Sequence, residues 1–327
     1  MSRSRDTHLF AGGIPPRRGV GKTPPVDYDE FGLFEENATE AGLPWAGPPV
    51  VQRRSVEVAP GQRVSALVWG EGTPELVLLH GGAQNAHTWD TVALALDRPL
   101  VAVDLPGHGH SDWRDDHDYL PATNAEAVAV AVGELAPEAQ AVVGMSLGGL
   151  TAIRLAADHP ELVRRLVVVD VTPGADEHKA SPVLAFIAGP ESFASFDEIL
   201  ERTVQYNPTR SVSSLRRGIL HNALEQPDGS WSWRYDRISP NRAPGDEGGE
   251  RGGFGFGSLW DDVGAVTVPV MLVRGALSGV VDDGDVAEFR RRCPQARVET
   301  VDGAGHSIQG DQPLALAGLI AEFVSGA

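Results

Sequence analysis

The sequence predicts an α/β fold in which a mainly parallel sheet is covered by helices on both faces. Short runs of apolar, often β-branched residues recur from residue 50 onward, and amphipathic segments separate most of them. Hydrophobic residues make up 42% of the 327 positions, which is ordinary for a globular protein. Strands that are apolar throughout and alternate with helices are typical of parallel sheets buried on both faces.

The predicted elements follow one another along the chain. The strands are Val50–Ala59, Val64–Trp69, Leu76–Leu79, Leu100–Val103, Ala141–Val143, Leu166–Val169, Val268–Val273 and Ala296–Val301. The helices between them include Trp89–Leu96, Asn124–Leu135 and a segment from Leu150 to about His159, and a last helix starts at Pro313. The first two strands are close enough to form an antiparallel hairpin through Pro60-Gly61.

Two segments depart from this alternation. Residues 1–45 are rich in Gly, Pro and charge, which predicts a flexible N-terminal extension with a short helix from Asp29 to Ala41 that docks onto the main body. Residues 173–258 lack strong apolar strands but contain helical patterns and a Trp-rich hairpin. We expect them to form a cap over an active site. The core then comprises residues 46–172 and 259–327.

The charge of the chain limits its partners. Lys and Arg total 27 against 45 Asp and Glu, which gives a formal net charge of −18. Nucleic acids and anionic membranes bind cationic surfaces, so we expect neither as a partner. Cys293 is the only cysteine, and no apolar run is long enough for a signal peptide or a membrane span. We therefore expect a cytoplasmic protein.

One motif carries most of the chemical information. Gly144-Met145-Ser146-Leu147-Gly148 follows a predicted strand and precedes a predicted helix. The pattern Gly-x-Ser-x-Gly in this strand–turn–helix setting is the nucleophile elbow of serine hydrolases. Ser146 is therefore predicted to be a nucleophile.

A serine hydroxyl needs a base to take its proton. His306 lies after the last predicted strand, in a loop of small residues that reads Gly303-Ala304-Gly305-His306-Ser307. This loop position and the order of Ser146 before His306 are those of a catalytic base in such enzymes. His306 is therefore the predicted general base and acid.

The oxyanion formed on the substrate needs hydrogen-bond donors. One donor is expected to be the backbone N–H of Leu147, directly after the serine, and the other comes from the loop after the third strand. That loop reads His80-Gly81-Gly82-Ala83-Gln84-Asn85, and Gly82 is the predicted second donor. His80 is predicted to be a buried structural histidine.

With these residues placed, residues 50–327 resemble the α/β-hydrolase superfamily. The resemblance includes the turn Asp104-Leu105-Pro106-Gly107-His108-Gly109-His110-Ser111, the segment His87-Thr88-Trp89, and the ending Gly303-Ala304-Gly305-His306. It implies an eight-stranded sheet, a Ser–His–acid triad, no cofactor, and a lid between strands six and seven. It also implies the same roles for Ser146, His306, Gly82 and Leu147.

The acid of the triad departs from the family pattern. The loop after strand seven usually supplies it, but Ser278 and Gly279 stand at the expected position. Asp170 ends strand six at the carboxyl edge of the sheet, where some members of the superfamily place the acid. Asp282 or Asp283 could fold back, although both look like caps of a following helix. Asp170 is the preferred assignment, and the others remain open.

A metal site is not predicted. His108, His110 and the run Asp115-Asp116-His117 combine ligand types found in zinc sites, but their spacing does not place two ligands on one helical face. The Pro-Gly turn already accounts for the segment.

The predicted function is cleavage of a small carboxylic ester through an acyl-enzyme on Ser146. A serine at the elbow argues against haloalkane dehalogenases and epoxide hydrolases, which carry aspartate there. Carbon–carbon bond hydrolases, lactonases and acyltransferases of the same fold remain alternatives. A non-catalytic protein that binds a ligand in the same pocket is a further alternative, because the usual acid position is empty.

Overall fold

The computed structural model of the chain describes residues 28–176, 178–237 and 256–326. The strands are β1 (Val51–Ala59), β2 (Gln62–Trp69), β3 (Leu76–Leu79), β4 (Leu100–Val103), β5 (Ala141–Met145), β6 (Leu166–Val169), β7 (Ser192–Phe193), β8 (Ala223–Glu225), β9 (Trp231–Trp233), β10 (Val270–Gly275) and β11 (Arg297–Val301). The helices are α1 (Phe34–Ala41), α2 (Asp90–Leu96), α3 (Pro121–Leu135), α4 (Leu147–Asp158), α5 (Ser181–Ile187), α6 (Phe196–Tyr206), α7 (Val212–Asn222), α8 (Leu259–Ala265), α9 (Asp283–Arg292), α10 (Ile308–Asp311) and α11 (Pro313–Ser325).

Eight of the strands form one sheet in the order β1-β2-β4-β3-β5-β6-β10-β11. Strands β1 and β2 pair antiparallel, as do β2 and β4, and the remaining neighbours pair parallel. The central strands β3, β4, β5 and β6 are buried along their whole length. The prediction of an eight-stranded, mostly parallel sheet is confirmed.

Helices cover both faces of the sheet because each face of the central strands is apolar. On one face, buried residues of α3, α4, α8 and α9 pack against the sheet. On the other face, α1, α2 and α11 do the same. The carboxyl ends of the parallel strands are left at one edge, where loops can meet.

In the part of residues 173–258 that the structure describes, the chain forms three helices, α5 to α7, and a small antiparallel sheet in the order β7-β9-β8. Trp231 and Trp233 of β9 and Tyr235 just after it are buried in an apolar cluster with Phe193 and Ile199. We call residues 173–258 the cap; residues 177 and 238–255 lie outside the described residues. Helix α7 ends at Asn222, where the chain enters β8 at Ala223.

The described part of the N-terminal extension is packed against the core. Phe34, in α1, is 1% exposed and its ring lies 4.8 Å from that of Trp69. Burying Phe34 holds α1 to the sheet. Helix α1 starts at Phe34, whereas the sequence predicted a start at Asp29, and both end at Ala41. Residues 1–27 lie outside the described residues. Among the described helices, none has the length and apolar composition required to span a lipid bilayer.

Candidate active site

Ser146 lies at the sharp turn between β5 and α4. Its φ of 51° and ψ of −119° are outside the regions that non-glycine residues ordinarily adopt. The two glycines of the motif permit this turn, because a Cβ at Gly144 would lie 2.2 Å from the carbonyl oxygen of Gly148. A Cβ at Gly148 would lie 2.4 Å from the carbonyl oxygen of Leu79. The motif therefore forms the strained strand–turn–helix that presents the serine hydroxyl at the sheet edge.

The structure brings Ser146, His306 and Asp170 together in a continuous hydrogen-bonded chain. His306 Nε2 lies 3.1 Å from Ser146 Oγ, and His306 Nδ1 lies 2.8 Å from Asp170 Oδ2. Asp170 is fully buried and His306 is partly exposed. One imidazole thus contacts a hydroxyl through one nitrogen and a carboxylate through the other, which is the arrangement needed for proton transfer from the hydroxyl.

The carboxylate of Asp170 is held from the neighbouring strand. Its Oδ1 accepts a hydrogen bond from the N–H of Gly275 at 2.9 Å. Its Oδ2, which faces His306, also accepts one from the hydroxyl of Ser278. Ser278 therefore occupies the position at which the acid was expected, and it holds the carboxylate of Asp170. The sequence drew attention to its position, but gave it no role.

The two alternative acids lie elsewhere. Asp282 caps α9, where its side chain accepts from the N–H of Asp285, and it pairs with Lys179 at 2.9 Å. Asp283 is exposed and pairs with Arg274 at 2.6 Å. Both side chains are engaged at the start of the helix, so neither forms a hydrogen bond to His306 among the described residues.

The loop after β3 lies beside the elbow. A Cβ at Gly81 would lie 2.5 Å from Met145 Sδ and 3.2 Å from Ser146 Cβ, and one at Gly82 would lie 3.9 Å from a methyl carbon of Leu147. Gly82 lines the same cavity as Ser146. Within the described chain its N–H has no hydrogen-bond partner, and the N–H of Leu147 is in the first turn of α4, where no intrahelical acceptor exists.

Buried polar groups hold the loop after β3 in place. Asp104 accepts a hydrogen bond from the N–H of Ala86 at 2.7 Å and pairs with Arg53 at 2.7 Å. Burial alone would raise the pKa of Asp104, but the Arg53 charge and the N–H donors hold it below its usual range. Burial lowers the pKa of His80 to about 3, so its neutral ring accepts from the N–H of Leu105 at 2.9 Å. His80 is thus structural in its contacts, as predicted.

The loop that carries His306 is held by an acid that the sequence did not single out. Asp311 accepts a hydrogen bond from the N–H of Gly305 at 2.8 Å and one from the hydroxyl of Thr209 at 3.0 Å. Thr209 belongs to the cap, so this carboxylate connects the cap to the residue before His306. Asp311 lies in a short helix, five positions after His306. An acidic residue at this spacing is common, so the sequence alone gave no signal for its contacts with Gly305 and Thr209.

A cavity of about 270 Å³ opens over Ser146 and His306. The cap contributes one wall through Val183, Phe186 and Ile187, and the core contributes the other. Most of this wall is apolar, which suits a hydrocarbon group of a small ligand.

One cluster of described residues has the composition of a metal site. His87, Asp90 and His221 have ligand atoms within 4.8 Å of one another and are all buried. The rings of the two histidines are stacked at 3.8 Å with an angle of 9°, so their in-plane lone pairs do not converge on one ion. His87 also has both nitrogens engaged, by Asp90 at 2.9 Å and by Glu30 at 3.2 Å. The cluster therefore suits a charged histidine paired with carboxylates better than a metal ion.

The histidines considered for metal binding in the sequence have other contacts. His108 accepts a hydrogen bond from the N–H of Ala83 at 3.1 Å, and its other nitrogen lies 3.0 Å from the carbonyl oxygen of Pro106. His117 pairs with Asp236 of the cap. These side chains connect the loops around the cavity.

Comparisons with known proteins agree with this architecture. A family model described as alpha/beta hydrolase fold matches residues 74–313. The chain is 49% identical over 300 residues to the esterase Rv0045c of Mycobacterium tuberculosis, a match that covers 89% of this chain and 94% of that protein. It is 29% identical over 263 residues to a pimeloyl-[acyl-carrier protein] methyl ester esterase of Aeromonas hydrophila, covering 80% of this chain and 99% of that protein.

A solved structure of the Mycobacterium tuberculosis esterase superposes with a TM-score of 0.79 at 48% sequence identity. The superposition covers 92% of this chain and all of that chain. The family suggested by the elbow and its surrounding motifs is thereby confirmed. This chain belongs to the alpha/beta hydrolase fold family.

Proposed function

We propose that this protein is a carboxylic ester hydrolase that uses Ser146 as nucleophile, His306 as general base and acid, and Asp170 as the acid of the triad. The observation that carries the proposal is the hydrogen-bonded chain from the Ser146 hydroxyl through His306 to the buried carboxylate. The similarity over nearly the whole chain to an esterase of Mycobacterium tuberculosis supports the same reaction class.

In the proposed first step, His306 Nε2 takes the proton of Ser146 as Oγ attacks the ester carbonyl carbon. The negative charge that develops on the carbonyl oxygen is stabilised by the N–H groups of Gly82 and Leu147. The imidazolium, stabilised by the carboxylate of Asp170, then gives its proton to the alcohol as the carbon–oxygen bond breaks.

In the second step, water replaces the alcohol. His306 takes a proton from the water as it attacks the acyl-enzyme, and the same two N–H groups stabilise the second tetrahedral intermediate. The proton returns to Ser146 as the acid product leaves. Because Asp170 holds Nδ1 protonated, Nε2 remains available as the base in both steps.

The proposed substrate is a small ester with an apolar group. The cavity beside Ser146 has a volume of about 270 Å³, and Met145 and Leu277 add apolar surface to the wall formed by the cap. Such a cavity favours a short hydrocarbon chain over a polymeric substrate. The location in the cytoplasm stays a prediction, and fractionation of cells that produce the protein would test it.

A fluorophosphonate probe tests the nucleophile. We expect stoichiometric labelling of Ser146 at about pH 8 and loss of labelling in Ser146→Ala. Ser55→Ala is the matched control, because Ser55 is exposed on β1, and it should label as the wild type does. The same three proteins should be assayed with p-nitrophenyl butyrate. Labelling and turnover that persist in Ser146→Ala would contradict the proposal.

A further inference from the structure

A second cavity, of about 130 Å³, adjoins the cavity over Ser146. The two share five lining residues, Ala83, Gln84, Phe186, Asn207 and Ser307. Helix α7 of the cap forms one side of the second cavity, and the loop before α2 forms the other. These shared residues place the second cavity directly beside the cavity over Ser146.

The second cavity contains a cation without a carboxylate partner. The guanidinium of Arg210 donates to the hydroxyl of Ser214 at 2.6 Å and lies against the backbone of Gly310. Its Nε is buried and has no hydrogen-bond partner, and no carboxylate in the described part of the chain lies within 4.0 Å of its nitrogens. An unmatched buried donor is costly, so a group that can accept from Arg210 would be stabilised here.

The nearest carboxylates are engaged elsewhere. Asp311 accepts from Gly305 and Thr209, as described above. Glu40 of α1 pairs with Arg217 and accepts from the hydroxyl of Ser211. Burial lowers the pKa of Arg210, and the charges of Asp311 and Glu40 only partly offset this decrease. An arginine nevertheless keeps its charge in a protein, so Arg210 remains an unpaired cation in a chain of net charge −18.

The other charges of the second cavity are balanced. Arg217 pairs with Glu40 and also donates to the amide oxygen of Asn37 at 2.8 Å. His87 pairs with Asp90 at 2.9 Å. Among the residues that the structure describes, Arg210 is thus the cation in this cavity that can still pair with an anionic ligand.

We infer that Arg210 binds a carboxylate at the remote end of the ester substrate, an inference that rests on the proposed function. A planar guanidinium matches a carboxylate in shape and can bind it through two hydrogen bonds. A phosphate dianion would require more positive charge than one arginine supplies beside Asp311. The preferred substrates are therefore monoesters of dicarboxylic acids, with the ester at Ser146 and the free carboxylate at Arg210.

The test compares substrates that differ only in charge. Monomethyl esters of glutarate, adipate, pimelate and suberate should be assayed first. They should be compared with the same methyl esters in which a primary amide replaces the free carboxylic acid. We expect the wild type to prefer the charged member by about tenfold or more in kcat/KM at the best chain length, the effect of one charge-assisted contact. Arg210→Met should remove this preference, and Arg210→Lys should restore part of it.

Two controls separate this role from a structural one. Arg216→Met removes an exposed arginine of α7, the helix that follows Arg210, and should preserve the preference. A purely structural role of Arg210 would lower kcat/KM for both substrates equally, and this result would overturn the inference. A wild type that prefers the amide or shows no preference at every chain length would overturn it as well.

A binding measurement keeps this test independent of turnover. Titration calorimetry of the Ser146→Ala protein with monomethyl adipate and with its primary amide, methyl adipamate, requires no reaction. Binding of monomethyl adipate that is tighter than that of methyl adipamate and is lost in Ser146→Ala with Arg210→Met supports the inference, even if the proposed esterase activity fails. Equal binding of the two compounds overturns the inference, even if p-nitrophenyl butyrate is hydrolysed.

Discussion

Asp170→Asn removes the charge of the proposed acid with little change in shape. The carbonyl oxygen of the new amide can keep the hydrogen bond from Gly275 N–H, which turns its NH₂ group toward His306 Nδ1. That nitrogen must then accept, so the ring proton moves to Nε2, which lies 3.1 Å from Ser146 Oγ. A protonated Nε2 cannot take the serine proton. The corresponding substitution in a serine protease lowers kcat by about 10⁴, which is about 5 kcal/mol in the barrier, and we expect a loss of this order.

The assay is the kcat for p-nitrophenyl butyrate, normalised to the active sites titrated with a fluorophosphonate. Asp283→Asn is the matched control, because Asp283 is exposed and pairs with Arg274, and it should change kcat by less than about threefold. Adding Ser278→Asp to Asp170→Asn returns a carboxylate to the loop after β10 and should recover about tenfold or more. The reasoning is refuted if Asp170→Asn keeps more than about a tenth of the turnover, or if Asp283→Asn loses as much.

Three further results are expected. Ser278→Ala removes a hydrogen bond to the carboxylate of Asp170 and should lower kcat by about tenfold with an unchanged KM; an unchanged kcat would show that this contact does not position the acid. Burial lowers the pKa of His87, but pairing with Asp90 raises it more, so the pKa rises from 6.5 to about 9. The charged form of His87 therefore stabilises the fold fully below about pH 6.5, and this stabilisation is lost as the pH rises through about 9. Urea unfolding at both ends of this range should show a fall of up to about 3 kcal/mol, largely absent in His87→Gln; an equal fall in the variant would contradict this. Phe34→Ala should lower the free energy of unfolding by about 3 kcal/mol with kcat nearly unchanged, and thermal unfolding would show no shift if α1 were not docked.

The sheet could be predicted because its strands are unbroken apolar runs bounded by turns. The ends of the helices were less certain, and α4 illustrates the reason. Its amphipathic pattern is clear from Leu150, but the helix starts at Leu147 because the turn at Ser146 enters it directly. The sequence predicted a helix that docks onto the main body, but the contact of Phe34 with Trp69 joins distant parts of the chain, so the sequence did not identify the residue against which the helix packs.

The candidate site shows the same division. Ser146 and His306 lie in local motifs whose glycines allow close backbone approach, so spacing alone was enough to predict them. The contact between Asp170 and His306 joins residues 136 positions apart, so the sequence could favour Asp170, at the end of a strand, over Asp282, at the start of a helix, but could not exclude Asp282. Arg210 was not predicted at all. The proposed role of Arg210 depends on the absence of a carboxylate partner among the described residues, and this can be seen only in the folded structure.

The register of the sheet explains how the proposed acid can follow β6 instead of β10. The two strands are parallel neighbours, with Val169 paired to Val273, so both chains leave the sheet at the same edge. Asp170 has a φ of 49°, a conformation uncommon for residues other than glycine, and its carboxylate bonds to Gly275 and Ser278 of the neighbouring chain. A carboxylate from either strand can therefore meet His306 Nδ1 at one point in space. Exchanging the carboxylate and the serine between the two strands would change the sequence pattern but preserve the geometry, and this equivalence supports the proposal of Asp170, at the end of β6, as the acid.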